Sequence, residues 1–319
     1  MVSVCVPVFN GSPFIERCLK NILTQSYSNI EVLVIDDNST DSSSEIIEEI
    51  SKSDDRIIFN KNSNSLGLAA NWNECLKKAR GDWIKFQFQD DLMIRNTIQK
   101  MLDFSLQNQT LLTLSNRDYV FNTTDKKTIN FYKKLRKLDS YIRDTRIVNP
   151  DEVVDIANKT LLQRNFLGEP IVGLFHRKLI KKYGYFNPKF YQLIDFEFWL
   201  RITSNMPFGF INEELNVFRV HNKSATAKTK QYKGFNRSSL DRLNIVRFIL
   251  SDDLYQNYRL ESEKLGYPIR NLLNDFLRKM VRKDGSLQIK KHLDDLLMPS
   301  LTLADKIAGV YKDFLHRNW

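Results

Sequence analysis

The sequence predicts an α/β protein in which a largely parallel sheet with flanking helices is followed by a helical carboxy-terminal region. Three observations lead to this prediction. Short apolar runs alternate with amphipathic segments over the first hundred residues. Two pairs of adjacent aspartates each follow one of these runs. From about Leu240 onward, apolar residues recur at helical spacing between turn-forming positions.

The first part of the predicted sheet consists of four strands, each a short apolar run. They cover residues 2–8, 30–35, 56–59 and 83–88. A first helix is predicted to begin at Ser12–Pro13, because proline fits the first turn of a helix. Candidate caps for the second helix are Ser39, Thr40 and Asp41. A third helix begins at Gly67, and such crossover helices predict parallel strands.

The pattern is less regular after residue 100. The predicted elements are a helix over residues 92–106, strands over 111–121, 171–175 and 217–220, and an aromatic-rich helix over 190–202. Residues 122–149 are polar and basic, which predicts an irregular insertion. A final amphipathic segment within residues 299–319 has three interpretations: packing on the rest of the chain, contact with a second subunit, or insertion into a membrane interface.

The net charge of +10 is concentrated in the middle of the chain. Residues 1–100 carry a net charge of −3, whereas residues 101–239 carry +10. This excess indicates either an anionic partner, an anionic membrane surface, or only a solvated basic face. A nucleic-acid partner is not expected, because the acidic pairs argue against it and no known binding motif is present.

The composition predicts a globular protein of a reducing compartment. No apolar stretch approaches the ~20 residues that a membrane span requires. The amino-terminal segment lacks a basic leader and is expected to be the first strand rather than a signal peptide. The three cysteines, an odd number, show no metal-ligand spacing and are expected to be buried thiols.

The two acidic pairs are Asp36–Asp37 and Asp90–Asp91. Adjacent carboxylates repel each other, so a fold rarely selects them for stability alone. At the carboxyl ends of two strands they fall on the sheet edge where open α/β folds bind ligands. One pair is therefore a candidate divalent-metal site, and the other a candidate site for a polar ligand.

Five segments together resemble the family-two glycosyltransferases, which have the GT-A fold. The segments are VCVPVFN at 4–10, VIDDNSTD at 34–41, NSLGLAANWN at 64–73, QDD at 89–91 and IDFEFWLR at 194–201. The resemblance covers residues 2–225 and implies a catalytic domain over residues 1–235. Within it, residues 1–100 form a nucleotide-binding half and 101–235 an acceptor half. Residues 236–319 are then a helical extension.

The resemblance implies which residues bind the donor nucleotide. Asp37, with Asp36 as the second candidate, is expected to accept a hydrogen bond from the base. The other implied donor contacts are Pro7, Val8, Asn10, Gly67, Asn71 and Asp90. Considered without the family, these residues are consistent with an ordinary strand, a capped helix start and a solvated turn.

The resemblance also implies a metal site and a catalytic base. Asp91 is expected to bind Mg²⁺ or Mn²⁺, with His221 as a further metal or diphosphate contact. Asp195 is expected to be the base in the context of the other four segments, whereas taken alone it is better explained as the cap of a buried aromatic helix. Glu169 and Arg219 are the expected acceptor or phosphate contacts. Gln89 and Ile194 stand where the family often has acidic residues.

The predicted function is transfer of a sugar, with inversion, from a nucleoside diphosphate sugar to an acceptor in surface polysaccharide synthesis. UDP is the first expectation for the nucleotide, and the acceptor is expected to be a saccharide or a lipid-diphosphate-linked saccharide. The predicted location is cytoplasmic or peripheral on the inner face of the membrane, with a possible homodimer through the carboxy-terminal helices. The alternative is a non-catalytic saccharide- or nucleotide-binding protein that keeps the fold. A haloacid dehalogenase-type phosphatase is disfavoured by Asn38, and a nucleotidyltransferase by the lack of a glycine-rich phosphate loop.

Overall fold

A computed structural model describes residues 1–222 and 237–267 of the 319-residue chain. These residues form one mixed nine-stranded sheet with helices on both faces. The predicted boundary at residue 235 and the amphipathic segment within 299–319 lie outside the described residues. No helix in the described part of the chain is long and apolar enough to cross a membrane.

The strands are β1 (Val2–Val8), β2 (Ile30–Asp36), β3 (Ile57–Lys61), β4 (Trp83–Phe86), β5 (Leu92–Met93), β6 (Leu112–Asn122), β7 (Arg146–Val148), β8 (Gly173–His176) and β9 (Phe208–His221). The α-helices are α1 (Ile15–Leu23), α2 (Ser43–Ser51), α3 (Leu68–Lys78), α4 (Thr97–Gln107), α5 (Lys126–Lys133), α6 (Pro150–Lys159), α7 (Lys178–Tyr183), α8 (Ile194–Thr203), α9 (Arg237–Ser251) and α10 (Gln256–Lys264).

The strand order is β3-β2-β1-β4-β8-β6-β9-β5, with β7 pairing the start of β9. Strands β1 to β4 are mutually parallel, which confirms the prediction for the first hundred residues. Beyond β4 the sheet is mixed, because β8 is antiparallel to both β4 and β6. The carboxyl ends of β1, β2 and β4 therefore share one edge, where both acidic pairs lie.

The long β6–β9 ribbon brings the second half of the chain to the same edge. Its outer part pairs Asn116–Asn122 with Glu214–His221 in parallel. Strand β5 pairs with β9 in the opposite direction, with Leu92 opposite Val217. Because Asp90 and Asp91 immediately precede β5, this pairing places them beside the last residues of β9.

Three local predictions are wrong in detail. Residues 122–149 are not irregular: they contain α5, a 3₁₀ turn and β7, and the Asp125 carboxylate caps α5 by accepting from the backbone N–H of Lys127 and Thr128. Helix α1 begins at Ile15, because residues 12–14 form a turn closed by the Gly11 carbonyl. The predicted helix over 92–106 begins only at Thr97, since Leu92–Met93 pair with β9.

Apolar side chains cover both faces of the sheet. Helices α1, α2 and α4 contribute to the core on one face, while α3, α6 and α8 contribute to the core on the other. All ten residues of α8 are buried. The Arg201 guanidinium pairs with Glu197 on α8 and donates to the Tyr185 carbonyl, which fixes the helix against the preceding loop. The three cysteines are buried and free, as expected.

Lys85 of β4 is a fully buried cation at the centre of the sheet. Its ammonium donates to the carbonyl oxygens of Phe86 and Ile171 and to Asn216 Oδ1. None of these acceptors carries a charge, so burial lowers the pKa of Lys85 to about 7. The same three bonds join β4, β9 and the turn that follows Glu169.

We expect Lys85→Met to change how stability depends on pH. The depressed pKa means that the unfolded chain binds a proton between about pH 7 and 10.5 while the folded chain does not, so Lys85 makes stability rise with pH in this range. In Lys85→Met, the increase in the free energy of unfolding between pH 7 and 10 should be smaller than in the wild type by about 3 kcal/mol. Urea unfolding at both pH values measures this difference, with the exposed Lys78→Met as the control. Equal slopes for wild type and Lys85→Met would show that the amine is not buried in this way.

Candidate functional site

A cavity of about 180 Å³ lies at the sheet edge where β4, β6 and β9 end. Its lining residues are Pro13, Phe14, Arg17, Asp90, Asp91, Leu92, Asn122 and Arg219. The set combines two carboxylates with two guanidinium groups. Such a site suits an anionic ligand with a bridging cation, and its volume suits only the charged end of a nucleotide-sized ligand.

Asp91 is the innermost acidic group of the cavity, and it is only 1% exposed. Its Oδ1 accepts from the Arg219 backbone N–H at 2.7 Å. Its Oδ2 is buried and has no hydrogen-bond donor among the described residues. Burial, and then the neighbouring charge of Asp90, raise the pKa of Asp91 well above its usual value. A buried acceptor without a donor is the kind of atom that a ligand or ion satisfies.

Asp90 and the end of β9 form the wall of the cavity. The Asp90 Oδ2 lies 2.7 Å from His221 Nε2. The Arg219 guanidinium donates to the Asp90 carbonyl at 2.8 Å and to Asn122 Oδ1 at 3.0 Å. It also stacks 5.5 Å from the centre of the Phe14 ring. Three of the residues predicted to act together, Asp90, Arg219 and His221, are therefore in direct contact.

Asp195 lies at the start of α8, where its Oδ1 accepts from the Phe196 N–H at 2.7 Å. Burial, and then the charge of Glu169, raise the pKa of Asp195 to about 8. Glu169 is ion-paired with the buried Arg117. The charge of Glu169 also raises the pKa of Asp91. Glu169 is thus within electrostatic range of both Asp91 and Asp195, which places the three carboxyl groups around one region.

The first acidic pair is engaged by the chain itself. Asp37 accepts four hydrogen bonds, from Asn62 Nδ2, Ser65 Oγ and the backbone N–H groups of Leu66 and Gly67, at 2.7 to 3.0 Å. Asp36 accepts from the Ser39 backbone and from the hydroxyls of Ser39 and Ser44. Four bonds use the acceptor capacity of a carboxylate, so in this state Asp37 organises the 62–67 loop. Its contact with a nucleotide base stays a prediction.

The remaining predicted donor contacts lie around the end of β1. Pro7 and Val8 are buried within the strand. Asn10 has a positive φ of 52°, and its Oδ1 accepts from the Thr40 N–H at 2.9 Å, which ties the β1 and β2 loops together. Gly67 has a φ of 83°, so a side chain there would strain the backbone even though the space is open.

The Asn71 amide is used inside the protein. It donates to the Ile35 carbonyl at 3.2 Å and accepts from Asn62 at 3.1 Å. Asn73 likewise makes two bonds to the Phe186 backbone. Both amides therefore have protein partners, and a role of Asn71 in donor binding stays a prediction.

The structure adds functional candidates that sequence reasoning missed. Arg17 lines the cavity from α1, is exposed, and has no ion-pair partner among residues 1–222 and 237–267. In the sequence, Arg17 stands out only as a charged residue three positions after Phe14, and this spacing is common on surface helices. Arg117 gave a clearer signal, because it is a charge inside an otherwise strand-like run.

A divalent cation fits the chemistry of these donors. In the described parts of the chain, no group of three or more histidine, cysteine, aspartate or glutamate side chains forms a complete metal cage. Mg²⁺ and Mn²⁺ sites commonly use one or two carboxylates and take their other ligands from phosphate and water. The unpartnered Asp91 Oδ2 and the neighbouring Asp90 supply such a partial set.

Sequence comparison identifies related proteins. Residues 3–168 match the sequence model of the family described as Glycosyl transferase family 2. An uncharacterized protein of Mycobacterium tuberculosis is 30% identical over 81% of this chain and 78% of its own length. Glycosyltransferase GlyA of Streptococcus pneumoniae is 34% identical over 39% of this chain, which is only 18% of GlyA.

Solved structures share the fold at low sequence identity. A truncated TarS of Staphylococcus aureus in complex with UDP-GlcNAc superposes with a TM-score of 0.62 at 18% identity, covering 98% of this chain and 80% of that one. The mannosyltransferase PcManGT from Pyrobaculum calidifontis, in complex with GDP-Man and Mn²⁺, superposes with a TM-score of 0.56 at 16% identity. It covers 99% of this chain and 82% of PcManGT. The predicted GT-A fold is thereby confirmed.

Proposed function

Because this chain belongs to glycosyltransferase family 2, we propose that it is an inverting enzyme that moves one sugar from a UDP-sugar to a saccharide hydroxyl. The observation that carries this proposal is the unpartnered Asp91 Oδ2, in a cavity lined by Arg17 and Arg219. The non-catalytic alternative is no longer favoured, because the family and its named relatives are glycosyltransferases.

The donor diphosphate is proposed to lie in the cavity between Arg17 and Arg219. Guanidinium groups bind phosphate oxygens through charge-assisted, often paired hydrogen bonds. The nucleoside then extends towards the end of β1, past Pro7, Val8 and Asn10. Uridine is preferred on the support of the TarS complex with UDP-GlcNAc, and the GDP-Man complex of PcManGT makes guanosine the main competitor.

Asp91, with Asp90 beside it, is proposed to hold a Mg²⁺ or Mn²⁺ ion. When bound, that ion neutralises charge on the departing diphosphate as a Lewis acid. His221 is proposed to hold Asp90 in place, since its Nε2 lies 2.7 Å from the Asp90 carboxylate. A bound cation would stabilise the ionised form of Asp91, which burial and then the charge of Asp90 disfavour by raising its pKa.

Asp195 is proposed to remove the acceptor proton. The acceptor oxygen forms a bond to the anomeric carbon while its O–H proton passes to the Asp195 carboxylate. The bond between that carbon and the phosphate oxygen breaks, and the nucleoside diphosphate leaves with the electron pair. This single displacement inverts the anomeric carbon and requires no enzyme nucleophile. The Arg117–Glu169 pair is proposed to orient the acceptor next to Asp195.

The acceptor is proposed to be a saccharide or a lipid-diphosphate-linked saccharide in surface polysaccharide synthesis. The support is electrostatic: the half of the chain that follows residue 100 carries the positive charge excess. An acceptor that bears phosphate would suit this half, and the reaction would then occur at the inner face of the cell membrane.

A panel of nucleotides and nucleotide sugars tests the donor assignment. With Mn²⁺ or Mg²⁺, UDP or a UDP-sugar should stabilise the protein in thermal unfolding by about 2.7 kcal/mol at a hundredfold excess over Kd. A chelator should reduce this effect. Arg17→Met should weaken UDP binding by about tenfold, because it removes a charged hydrogen bond worth about 1.5 kcal/mol or more.

Lys20→Met is the matched control for Arg17. Lys20 lies on the same helix, is exposed and pairs with Glu16, and it does not line the cavity. It should bind UDP as the wild type does. Stabilisation by GDP-sugars alone would contradict the uridine assignment, and no stabilisation by any nucleotide would contradict the whole proposal.

A further inference from the structure

Helix α5 presents a basic face beside the cavity. Its exposed cations and those just after it are Lys126, Lys127, Lys133, Lys134 and Arg136. None of these five forms an ion pair within the described ranges of the chain. The neighbouring acid, Asp125, uses its carboxylate to cap the helix. No acidic residue occurs between Lys126 and Lys137.

The face also carries an aromatic ring. Phe131 is 52% exposed, and it lies four residues after Lys127 and three before Lys134. This spacing puts the three side chains on one side of the helix. The opposite side packs on the protein: Tyr132 is buried and its ring lies 6.0 Å from Phe218 of β9. Helix α5 therefore has one side that packs on the protein and one exposed side that carries cations and the half-exposed Phe131 ring.

The position of α5 relates this face to the cavity. Strand β6 ends at Asn122, which lines the cavity and accepts from Arg219. Helix α5 begins four residues later and packs against the same ribbon. The short segment 123–125 therefore connects the cavity-lining Asn122 directly to α5.

We propose that the outer face of α5, formed by Lys127, Phe131 and Lys134 with the exposed Lys126 and Lys133 at its edges, docks on an anionic lipid surface. Lysines that flank an exposed aromatic ring suit the boundary between lipid head groups and acyl chains, where the ring enters the boundary and the ammonium groups contact anionic head groups. A free phosphate or a nucleic-acid duplex would use the cations without the ring. A single-stranded nucleic acid would also stack on the ring, but the sequence carries no recognised nucleic-acid-binding motif, which favours the lipid surface. This inference rests on the proposed function, because it explains how a lipid-linked acceptor would be presented to the cavity.

Vesicle flotation of the full-length protein tests this surface. The wild type should bind vesicles of phosphatidylcholine with phosphatidylglycerol and should not bind phosphatidylcholine alone. Lys127→Glu/Lys134→Glu should weaken binding by about tenfold or more, since each cation near an anionic surface contributes independently. Phe131→Ser should weaken binding to the same vesicles while retaining its dependence on salt.

The matched control is Lys178→Glu/Lys181→Glu on α7, which makes the same charge change at two other exposed lysines. It should bind vesicles as the wild type does. Equal losses of vesicle binding in the two double variants would show only an effect of net charge. Wild-type vesicle binding by Lys127→Glu/Lys134→Glu would show that the lipid contact lies elsewhere. Either result overturns the proposal. A short RNA that the wild type binds more tightly than the anionic vesicles would also overturn it, whether or not Phe131→Ser weakens that binding.

Thermal stabilisation by UDP and Mn²⁺ separates this inference from the proposed function. The α5 variants should keep that response, because none of their altered residues lines the cavity. Loss of vesicle binding with intact nucleotide binding supports the docking face. Absence of nucleotide binding in the wild type would instead contradict the proposed function.

Discussion

Replacing Asp195 with asparagine is expected to lower kcat by about a thousandfold while donor affinity stays within a few-fold of wild type. The amide keeps the size of the side chain and its hydrogen bond from the Phe196 N–H, but it cannot accept the acceptor proton. Steady-state rates and UDP titration by thermal shift, measured on the same preparation, separate the two effects.

The pH dependence of the wild type provides a second measurement. Burial and Glu169 raise the pKa of Asp195 to about 8, so the carboxyl is mostly protonated at neutral pH. A general base acts only when deprotonated, and kcat/KM should therefore rise with pH and level off above about pH 8. A profile that is flat from pH 6 to 9 would contradict the assignment of Asp195 as the base.

Asp195→Asn should also stabilise the protein. Between the unfolded pKa of 3.8 and the folded pKa of about 8, the folded chain holds a proton that the unfolded chain has released, so stability falls as pH rises through this range. The amide removes this penalty and should gain about 4 kcal/mol at pH 7. Asp155→Asn, which alters a partly exposed pair on α6, is the control and should leave rate and stability near wild type.

Asp91→Asn is expected to abolish the metal dependence of donor binding and to lower kcat/KM by about a thousandfold. The variant keeps an oxygen that can accept from the Arg219 N–H but loses the charge that a divalent cation requires. Titration of UDP with Mn²⁺, Mg²⁺ or chelator, followed by thermal shift, measures this loss. The wild type should respond to the metal, and the variant should give the same weak response under all three conditions.

Two further observations separate a lost metal site from a damaged fold. Because burial and Asp90 raise the pKa of Asp91, the ionised form is unfavourable in the folded protein, and Asp91→Asn should unfold at a higher temperature than wild type at pH 7. Asp82→Asn is the matched control, since Asp82 is exposed at the opposite end of β4. An Asp91 variant that retains metal-dependent UDP binding would show that the cation lies elsewhere.

The strand pattern and the acidic pairs carried most of the predictive information. Each short apolar run between residues 2 and 88 became a parallel strand, because such strands are buried on both faces and leave an almost continuous apolar signal. Asp36 is the last residue of β2, as predicted, because parallel strands share their carboxyl ends. Asp90–Asp91 lie four residues beyond the end of β4 and directly before β5, although the predicted strand extended to residue 88.

The second half of the sheet was less predictable, because its order depends on contacts between distant residues. Nothing near residue 112 indicates that β6 pairs with β8 and β9, which begin 61 or more residues later. The same limit applies to the cavity. Arg17 reaches it only because α1 packs beside β5, and the four partners of Asp37 come from a loop about 25 residues away.

The central claim is that Asp91 and Asp195 act on one sugar from two sides. A crystal structure of Asp195→Asn with Mn²⁺ and the UDP-sugar that stabilises it best tests this claim most directly, since that variant should bind the donor without consuming it. The diphosphate should contact Arg219 and the Asp91 side, with the anomeric carbon within about 6 Å of position 195, because an acceptor oxygen must lie about 3 Å from each. A sugar that lies in another cavity, or an anomeric carbon turned away from position 195, would contradict the account.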